Sequence, residues 1–232
     1  MSILILRLEG PLQSWGEYSL FFQEGDTAKM PTRSGIVGLL ACALGIPKED
    51  PEKIAALSDA LVIGVRADRP GRVRIDFQTV HAHRLQTGKH GTRSPEKSIL
   101  VSHKRYLEDA AFTVVLSSEK AGLIEALRNA LLHPVWSVFL GRKSCVPTSP
   151  VYGGLLPGNN LLQALKTIPL IETRPAETPA KRVMVELEED VPGATGCLRN
   201  DVPSSRSRYF YSRRVHRFQI PAPKECECHV SQ

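Results

Sequence analysis

Basic side chains beside glycines and hydroxyl groups are the main candidates for chemistry in this 232-residue sequence. The run Gly141-Arg142-Lys143-Ser144 joins a glycine, which lets the backbone approach a ligand closely, to two cations and a hydroxyl that suit a phosphate. The GxxxxGK(S/T) spacing of a P-loop is absent, so the run is not a P-loop. It predicts a phosphate contact, with a plain basic turn as the alternative.

A second candidate lies at Thr32, Arg33 and Ser34, where an apolar helix is expected to begin. The free N–H groups at a helix N-terminus, together with a guanidinium and hydroxyls, suit a phosphate. Simple capping of the helix by Thr32 or Ser34 is the alternative.

Aromatic residues beside basic or glycine-rich loops can stack splayed RNA bases. Trp15 and Tyr18 have this setting, but a core position is the alternative for each. Tyr106 follows Lys104 and Arg105 and has the stronger claim to RNA contact.

The pair His103 and Lys104 is the most enzyme-like feature, because metal-independent RNA cleavage needs a base and a cation. Tyr106 would complete such a set, although adjacent residues of a strand point to opposite faces. No HExxH, GxSxG or paired-carboxylate pattern supports another enzyme class. We therefore predict no catalytic residue.

The cysteines give little support for a metal site. Cys226, Cys228 and His229 are the only cluster with metal-ligand chemistry, and no second pair accompanies them. Five scattered cysteines predict a reducing cytoplasm, and no metal or cofactor is expected.

Positive charge is concentrated in two stretches of a chain whose net charge is +6. Ten Lys or Arg against three acids lie between Arg66 and Arg105, and six arginines opposed by Asp201 alone lie between Arg199 and Arg217. Two such clusters favour a polyanion partner, with solvated basic loops as the alternative.

Periodicity and turn residues then predict the elements that position these side chains. Strands are expected at Ile3–Leu8, Leu61–Val65, Ala110–Leu116 and Val135–Leu140. Helices are expected through 35–44, from Asp50 to about Ala60, and after a cap at Ser118. Apart from the short second helix, the order is the β-α-β-β-α-β pattern of an α+β, ferredoxin-like domain.

A long polar stretch, from about residue 69 to 105, interrupts this pattern between the second and third strands. We interpret it as a projecting arm with a hairpin at its base around 73–80. Its candidate contacts to RNA or to a partner are His81, His83, Arg84, Lys89, His90, Arg93 and Lys97.

The remainder is rich in proline and glycine, with strand-like pieces at Val183–Leu187 and Tyr209–Ile220. We predict a ferredoxin-like domain over residues 1–150 and a β- and loop-rich extension over 151–232 that packs on it. No apolar run is long enough to span a membrane, and no secretory signal is recognised.

Four short blocks resemble the CasD family, which belongs to the RAMP superfamily of CRISPR proteins. They recur in order across about the first 150 residues. The blocks are Leu6-Arg7-Leu8-Glu9-Gly10-Pro11-Leu12-Gln13-Ser14-Trp15-Gly16, Pro31-Thr32-Arg33-Ser34-Gly35-Ile36-Val37-Gly38-Leu39-Leu40, Tyr106-Leu107-Glu108-Asp109-Ala110-Ala111-Phe112 and Leu140-Gly141-Arg142-Lys143-Ser144-Cys145.

The resemblance implies a ferredoxin-like domain with an arm, or thumb, in a type I-E Cascade complex that serves antiviral defence. It implies that the 5′ handle of the CRISPR RNA is held beside a backbone subunit and the large subunit, and that target DNA is met through the complex. The RNA contacts predicted on these blocks are Gln13, Trp15, Gly16, Thr32, Arg33, Ser34, Lys104, Arg105, Tyr106, Gly141, Arg142, Lys143 and Ser144.

Two other functions are weighed against this one. A related type I-C subunit cleaves RNA with Tyr, Lys and His, which keeps a metal-independent endoribonuclease as the alternative. A free-standing DNA-binding protein is disfavoured, because neither a helix-turn-helix nor a zinc-finger pattern occurs.

Overall fold

The computed structural model of the chain describes residues 2–16, 24–81, 99–171, 180–204 and 210–223.

Strands outnumber helices in this described part. The strands are, in chain order, β1 (Ser2–Glu9), β2 (Leu12–Gln13), β3 (Glu24–Gly25), β4 (Val62–Arg69), β5 (Arg72–His81), β6 (Ile99–Glu108), β7 (Ala111–Ser117), β8 (Tyr152–Pro157), β9 (Arg182–Leu187), β10 (Thr195–Pro203) and β11 (Phe210–Pro221). The helices are α1 (Arg33–Leu44), α2 (Pro51–Asp59), α3 (Leu123–Leu132) and α4 (Leu161–Thr167).

Seven of the described strands form one antiparallel sheet in the order β10-β11-β9-β4-β7-β1-β8. Within it, β8-β1-β7-β4 is the arrangement in which the first and third strands of a β-α-β-β-α-β chain are central. Leu6 of β1 lies opposite Val114 of β7, so the two predicted central strands share the sheet. The α+β, ferredoxin-like fold is confirmed.

The predicted position of the fourth strand is wrong. Residues 135–140 are irregular, and the fourth strand is β8, which lies beyond residue 150. The Val135 N–H donates to Ala43 O at 3.0 Å, and the Leu140 N–H donates to Cys145 O at 2.7 Å. The apolar segment is therefore held against α1 and then closes a tight loop.

The sheet buries side chains on both faces because successive residues of a strand point in opposite directions. Leu4 and Leu6 of β1 pack in one core cluster with residues of α1 and α3. Ile3 and Ile5 of the same strand pack in a second cluster with α4. Both faces of the main sheet are therefore covered by helices.

Helix caps follow the local sequence at two of three predicted places. Thr32 Oγ1 accepts from Gly35 N at the start of α1, and Asp50 accepts from Lys53 N at the start of α2. The prediction for Ser118 is wrong, because α3 begins at Leu123 and its N-cap makes no side-chain hydrogen bond. The Ser118 hydroxyl instead donates to Ala60 O at 2.6 Å.

The arm is a β-hairpin made by β5 and β6, which pair antiparallel over ten positions from Arg72↔Glu108 to His81↔Ile99. It lies between the second and third strands of the ferredoxin-like pattern, as predicted. On its other edge β6 pairs with β2 and β3, so the second sheet ties the arm to the loop after β1.

The C-terminal strands β9, β10 and β11 continue the main sheet beyond β4. Gly64 of β4 lies opposite Leu187 of β9, which joins the two parts through one ladder of hydrogen bonds. None of the helices in the described ranges has the length and apolarity that crossing a bilayer requires.

Candidate nucleic-acid interface at the base of the arm

Three segments that are far apart in sequence meet where the arm joins the main sheet. The Ser14 N–H donates to Leu140 O at 3.0 Å, and the Ser14 hydroxyl donates to Arg105 O at 3.4 Å. Ser14 therefore links the loop after β2 to β6 and to the turn that begins at Gly141. We call Arg105, Tyr106 and the turn Gly141–Ser144 the arm-base site.

Gly141 makes the closest of these approaches. Its φ is +89°, a left-handed conformation, and a Cβ atom built there would lie 1.7 Å from Ser14 O. A side chain at this position would both strain the backbone and collide with another backbone. The sequence analysis predicts a close backbone approach at this glycine, and in the structure the approach is to the Ser14 backbone.

Arg142 lies over the ring of Tyr106, with Cζ 4.7 Å from the ring centroid. This distance is within the range of a cation–π contact, which holds the guanidinium in place. The Nη1 atom of Arg142 is buried and has no hydrogen-bond partner in the described part of the chain. A buried donor without an acceptor costs about 1–3 kcal/mol, so the site favours an added acceptor.

The remaining polar groups of the site are accessible. Lys143 and Ser144 are exposed, and Gly16 is exposed beside them in the loop after β2. Arg105 is half-buried, and its Nη1 lies 3.7 Å from Asp26 Oδ1 in a partly solvated ion pair. The structure thus brings the Arg105 backbone to the 141–144 turn, while the Arg105 side chain lies on the face of β6 opposite Tyr106.

Two residues predicted as RNA contacts are part of the core. Trp15 is 0% exposed, and its ring packs so tightly on the first turn of α1 that only Gly35 fits there. Gln13 is also fully buried and donates to Leu8 O at 3.0 Å and to Ala110 O at 2.8 Å. Its Oε1 accepts from the Trp15 indole N–H at 3.0 Å. Both side chains are used inside the protein.

Tyr106 differs from its expected role as a stacking platform, because it is only 5% exposed and Arg142 covers its ring. The geometry makes Tyr106 a support for Arg142.

The N-terminus of α1 already holds an anion. The Arg33 N–H donates to Asp201 Oδ2 at 2.8 Å, where the sequence had predicted a phosphate. The Arg33 guanidinium is buried, pairs with Glu188 and donates to Leu61 O at 2.9 Å. Thr32 is buried as the cap, and the Ser34 hydroxyl donates to Thr32 Oγ1 at 3.3 Å. The structure therefore does not bring Arg33 to the arm-base site.

Three of the four arginines that the structure describes in the second basic stretch also pair with carboxylates of the same chain. Four arginines contact three carboxylates in one group, which we call the interior ion-pair cluster. Its members are Arg33, Arg199, Arg213, Arg217, Glu186, Glu188 and Asp201. The sequence places only Asp201 against these arginines, because Glu186 lies on another strand, β9, and Glu188 directly follows that strand.

The distances within the interior ion-pair cluster are short. Arg199 Nη1 lies 2.6 Å from Glu186 Oε1, and Arg213 Nε lies 2.6 Å from Asp201 Oδ1. Burial alone would raise the pKa of Asp201, but hydrogen bonds from Arg213 and the nearby guanidinium charges hold it below its usual value. The carboxylate is therefore kept ionised in the folded chain.

His103, Lys104 and Tyr106 do not form a shared site. In the hairpin, His103 lies opposite Phe77 and its ring contacts Phe77 edge-on, with centroids 5.3 Å apart. Lys104 and Tyr106 lie on the other face, opposite Asp76 and Arg74. His103 therefore lies on a different face of β6 from Lys104 and Tyr106.

Most predicted arm contacts lie outside the described residues, namely His83, Arg84, Lys89, His90, Arg93 and Lys97. His81 is the last described residue of β5 and pairs with Ile99. Cys226, Cys228 and His229 also lie outside the described residues. Within those that are described, no three His, Cys, Asp or Glu side chains are grouped closely enough to hold a metal ion.

The sequence is similar to known CRISPR proteins over most of its length. The family model described as "CRISPR-associated protein (Cas_Cas5)" matches residues 3–219. The "CRISPR system Cascade subunit CasD" of Escherichia coli strain K12 is 36% identical over 174 residues, which are 71% of this chain and 75% of that protein.

Solved structures give the same result. A chain of a structure titled "CRISPR RNA-guided surveillance complex" superposes with a TM-score of 0.78 at 31% identity, covering 96% of this chain and 91% of the other. A second, titled "Crystal structure of Cas protein", has a TM-score of 0.70 at 36% identity, covering 95% and 97% of the two chains.

Proposed function

The chain belongs to the Cas5 family of CRISPR-associated proteins, and from that premise we propose that it is a non-catalytic, RNA-binding subunit of a type I-E Cascade complex. In this role it holds the 5′ handle of the CRISPR RNA at the arm-base site. Its protein partners are the neighbouring backbone subunit and the large subunit, and target DNA is reached only through the complex.

The observation that carries the proposal is Arg142, a half-exposed residue whose guanidinium is fixed over the Tyr106 ring and whose Nη1 donor has no acceptor among the residues that the structure describes. An RNA phosphate or base edge supplies such an acceptor. Because the cation–π contact holds the guanidinium in advance, little side-chain entropy is lost when RNA binds.

The neighbouring groups extend this contact. Lys143 and Ser144 are exposed on the same turn, and Gly141 brings the turn against Ser14 in the loop after β2. From β6, Lys104 lies on the same face as Tyr106, whereas the Arg105 side chain lies on the opposite face. Cations along two edges of a shallow site suit the backbone of a single strand that crosses it.

Holding RNA requires no chemistry, and the hairpin register supports a non-catalytic role. His103 shares its face of β6 with Arg105, whereas Lys104 and Tyr106 lie on the opposite face. Metal-independent cleavage would need the base and the cation beside the same phosphate.

The test is to co-express the chain with the other proteins of its operon, purify the assembly and sequence the bound RNA. We expect uniform RNAs that share one 5′ end. Purification of the assembly without RNA, or with RNAs of random ends, would contradict the handle-holding role.

The non-catalytic part is tested separately with the purified chain and its own repeat RNA, with and without divalent metal. We expect intact RNA at all times. Specific cleavage that disappears in His103→Ala but not in His133→Ala, a histidine just beyond α3, would establish the endoribonuclease instead.

A further inference from the structure

An open groove lies between α1 and the irregular segment that follows α3. Its volume is about 1100 Å³. Its walls are mainly apolar and include the side chains of Ala41, Ile54, Trp136, Val138 and Val146. The groove exists because residues 135–140, apolar like a strand, pack beside a helix instead of entering the sheet.

The groove presents large apolar groups to solvent. Trp136 is 46% exposed and Val146 is 62% exposed. Both residues lie in irregular segments. Gly38 on α1 is also exposed, and a Cβ built there would meet no atom within 4 Å. Grouped apolar exposure of this kind marks an interaction surface, and an aromatic ring in a pocket is a common binding hot spot.

The polar groups at the groove indicate the charge of what binds there. Lys48 and Lys143 line it with one acid, Glu49, and the whole chain has a net charge of +6. Cations around an apolar centre complement carboxylates that flank an apolar segment.

A nucleic acid and the C-terminal tail fit this chemistry less well. The apolar walls of the groove offer a nucleic acid few hydrogen-bond partners. The C-terminal residues 224–232, KECECHVSQ, are too polar to fill it.

The groove is continuous with the arm-base site, because Lys143 lines the groove and follows Arg142 in the chain. A protein segment bound in the groove would therefore lie next to RNA held by Arg142. This places protein and RNA recognition on adjacent faces of one turn.

We infer that the groove docks a short apolar segment of a partner protein, flanked by Asp or Glu, within the same assembly. This inference rests on the proposed function, because it assigns a partner surface beside the proposed RNA site. The segment inserts its apolar side chains against Trp136 and α1, and its carboxylates meet Lys48 and Lys143.

Cys42 provides the direct test because its thiol lies on the groove wall, with Sγ 3.4 Å from Ser137 O. We expect N-ethylmaleimide to modify Cys42 in the free chain and to react at least about tenfold more slowly in the purified assembly. Site-resolved mass spectrometry separates Cys42 from the other cysteines, and the buried Cys145 is the internal reference.

A photo-crosslinking amino acid at Val146 then identifies the occupant. A crosslink to an apolar stretch of a partner protein with flanking acids supports the inference. A crosslink to RNA, or to residues 17–23 of this chain, overturns it. Unchanged Cys42 reactivity in an assembly that retains its RNA also overturns it while leaving the proposed function intact.

Substitutions at Gly38 give a matched pair. Gly38→Leu places a large side chain in the groove from a Cβ that meets no atom within 4 Å, and Gly38→Ala adds only that methyl group. We expect Gly38→Leu to weaken capture of the partner about tenfold or more, with RNA affinity unchanged, and Gly38→Ala to remain within about twofold. Equal capture by both variants would overturn the inference.

Lys48→Glu tests the charge requirement away from the arm-base site. We expect weaker capture by about fivefold at low salt, with the difference narrowing as salt rises, as for other exposed interface charges. A charge reversal without effect at any salt concentration would exclude an acid-flanked partner.

Discussion

The interior ion-pair cluster and the arm-base site both contain arginines, but they differ in whether carboxylates lie beside those arginines. In the interior ion-pair cluster, Arg33, Arg199 and Arg213 pair with carboxylates of β9, of the residue that follows it and of β10. At the arm-base site, Arg142 lies over an aromatic ring with one donor unpaired, and Lys143 is exposed. A high density of arginines in the sequence therefore does not by itself locate a nucleic-acid surface. Arginines that pair with carboxylates of the same chain are not available to bind phosphates.

The comparison is tested most strongly by Arg33→Ala. Removing one partner from a buried ion pair costs about 3–5 kcal/mol, since the remaining carboxylates lose compensation. We expect a loss of this size in urea unfolding, with normal RNA affinity for the folded protein. Arg214→Ala is the control, because Arg214 is exposed on β11, and should change stability by no more than about 0.5 kcal/mol. A stable Arg33→Ala variant with weakened RNA binding would reverse the assignment.

Gly141→Ala tests how the arm-base site is held together. Both Gly141 and Gly122 have a positive φ, and an alanine in that region costs about 1–2 kcal/mol. Only at Gly141 does a Cβ meet a backbone carbonyl, so displacing Ser14 should add about 1–3 kcal/mol. We expect Gly141→Ala to lose stability and RNA affinity, and Gly122→Ala to lose a little stability alone. Equal effects would show that the close approach is unimportant.

One part of the pH dependence of stability comes from Asp201 in the interior ion-pair cluster. The pKa of Asp201 is lowered in the folded chain, so its stabilisation is complete above the unfolded value of about 3.9 and is lost as pH falls through the folded value. We expect the stability difference between the wild-type protein and Asp201→Asn to shrink below about pH 4, since each pKa unit corresponds to about 1.4 kcal/mol. A difference that stays constant from pH 7 to pH 2 would contradict this.

Arg142→Ala should have the smallest energetic effect and the most specific one. We expect handle-RNA affinity to fall about tenfold, or about 1.4 kcal/mol. The log–log salt slope should fall by about 0.7 for the lost phosphate contact on a single strand. Arg142→Lys keeps the charge and should retain the slope with part of the affinity. Arg128→Ala on α3 is the matched control, and binding equal to wild type by all three variants would remove Arg142 from the site.

The sequence predicted what depends on neighbouring residues. Thr32 and Asp50 cap helices because a cap needs only the N–H groups two or three residues ahead. The apolar alternation of β1 and β7 likewise marks strands that the sheet brings together. Long-range pairing was harder to predict. β8 carries Gly153 and Gly154, which weaken its strand propensity. The more apolar 135–140 segment has the stronger strand pattern, and the sequence therefore predicts the fourth strand there.

The candidate site shows the same limit. The 141–144 turn, Arg105 and Tyr106 were recognisable from residue types, and they do meet. The sequence could not show that Glu186 and Glu188 pair with Arg199, Arg213 and Arg217, because that contact depends on β9 pairing beside β11.

The strand order of the main sheet also sets when the chain can fold during translation. β1 and β4 flank β7, and their outer edges are covered by β8 and β9, which are synthesised later. Until β8 leaves the ribosome, β1 and β4 both have an uncovered edge, and the edge of β4 stays uncovered until about residue 187 has followed. Another chain could pair with these edges. Fast synthesis through the C-terminal third, or a chaperone that shields strand edges, should therefore raise the soluble yield of this protein.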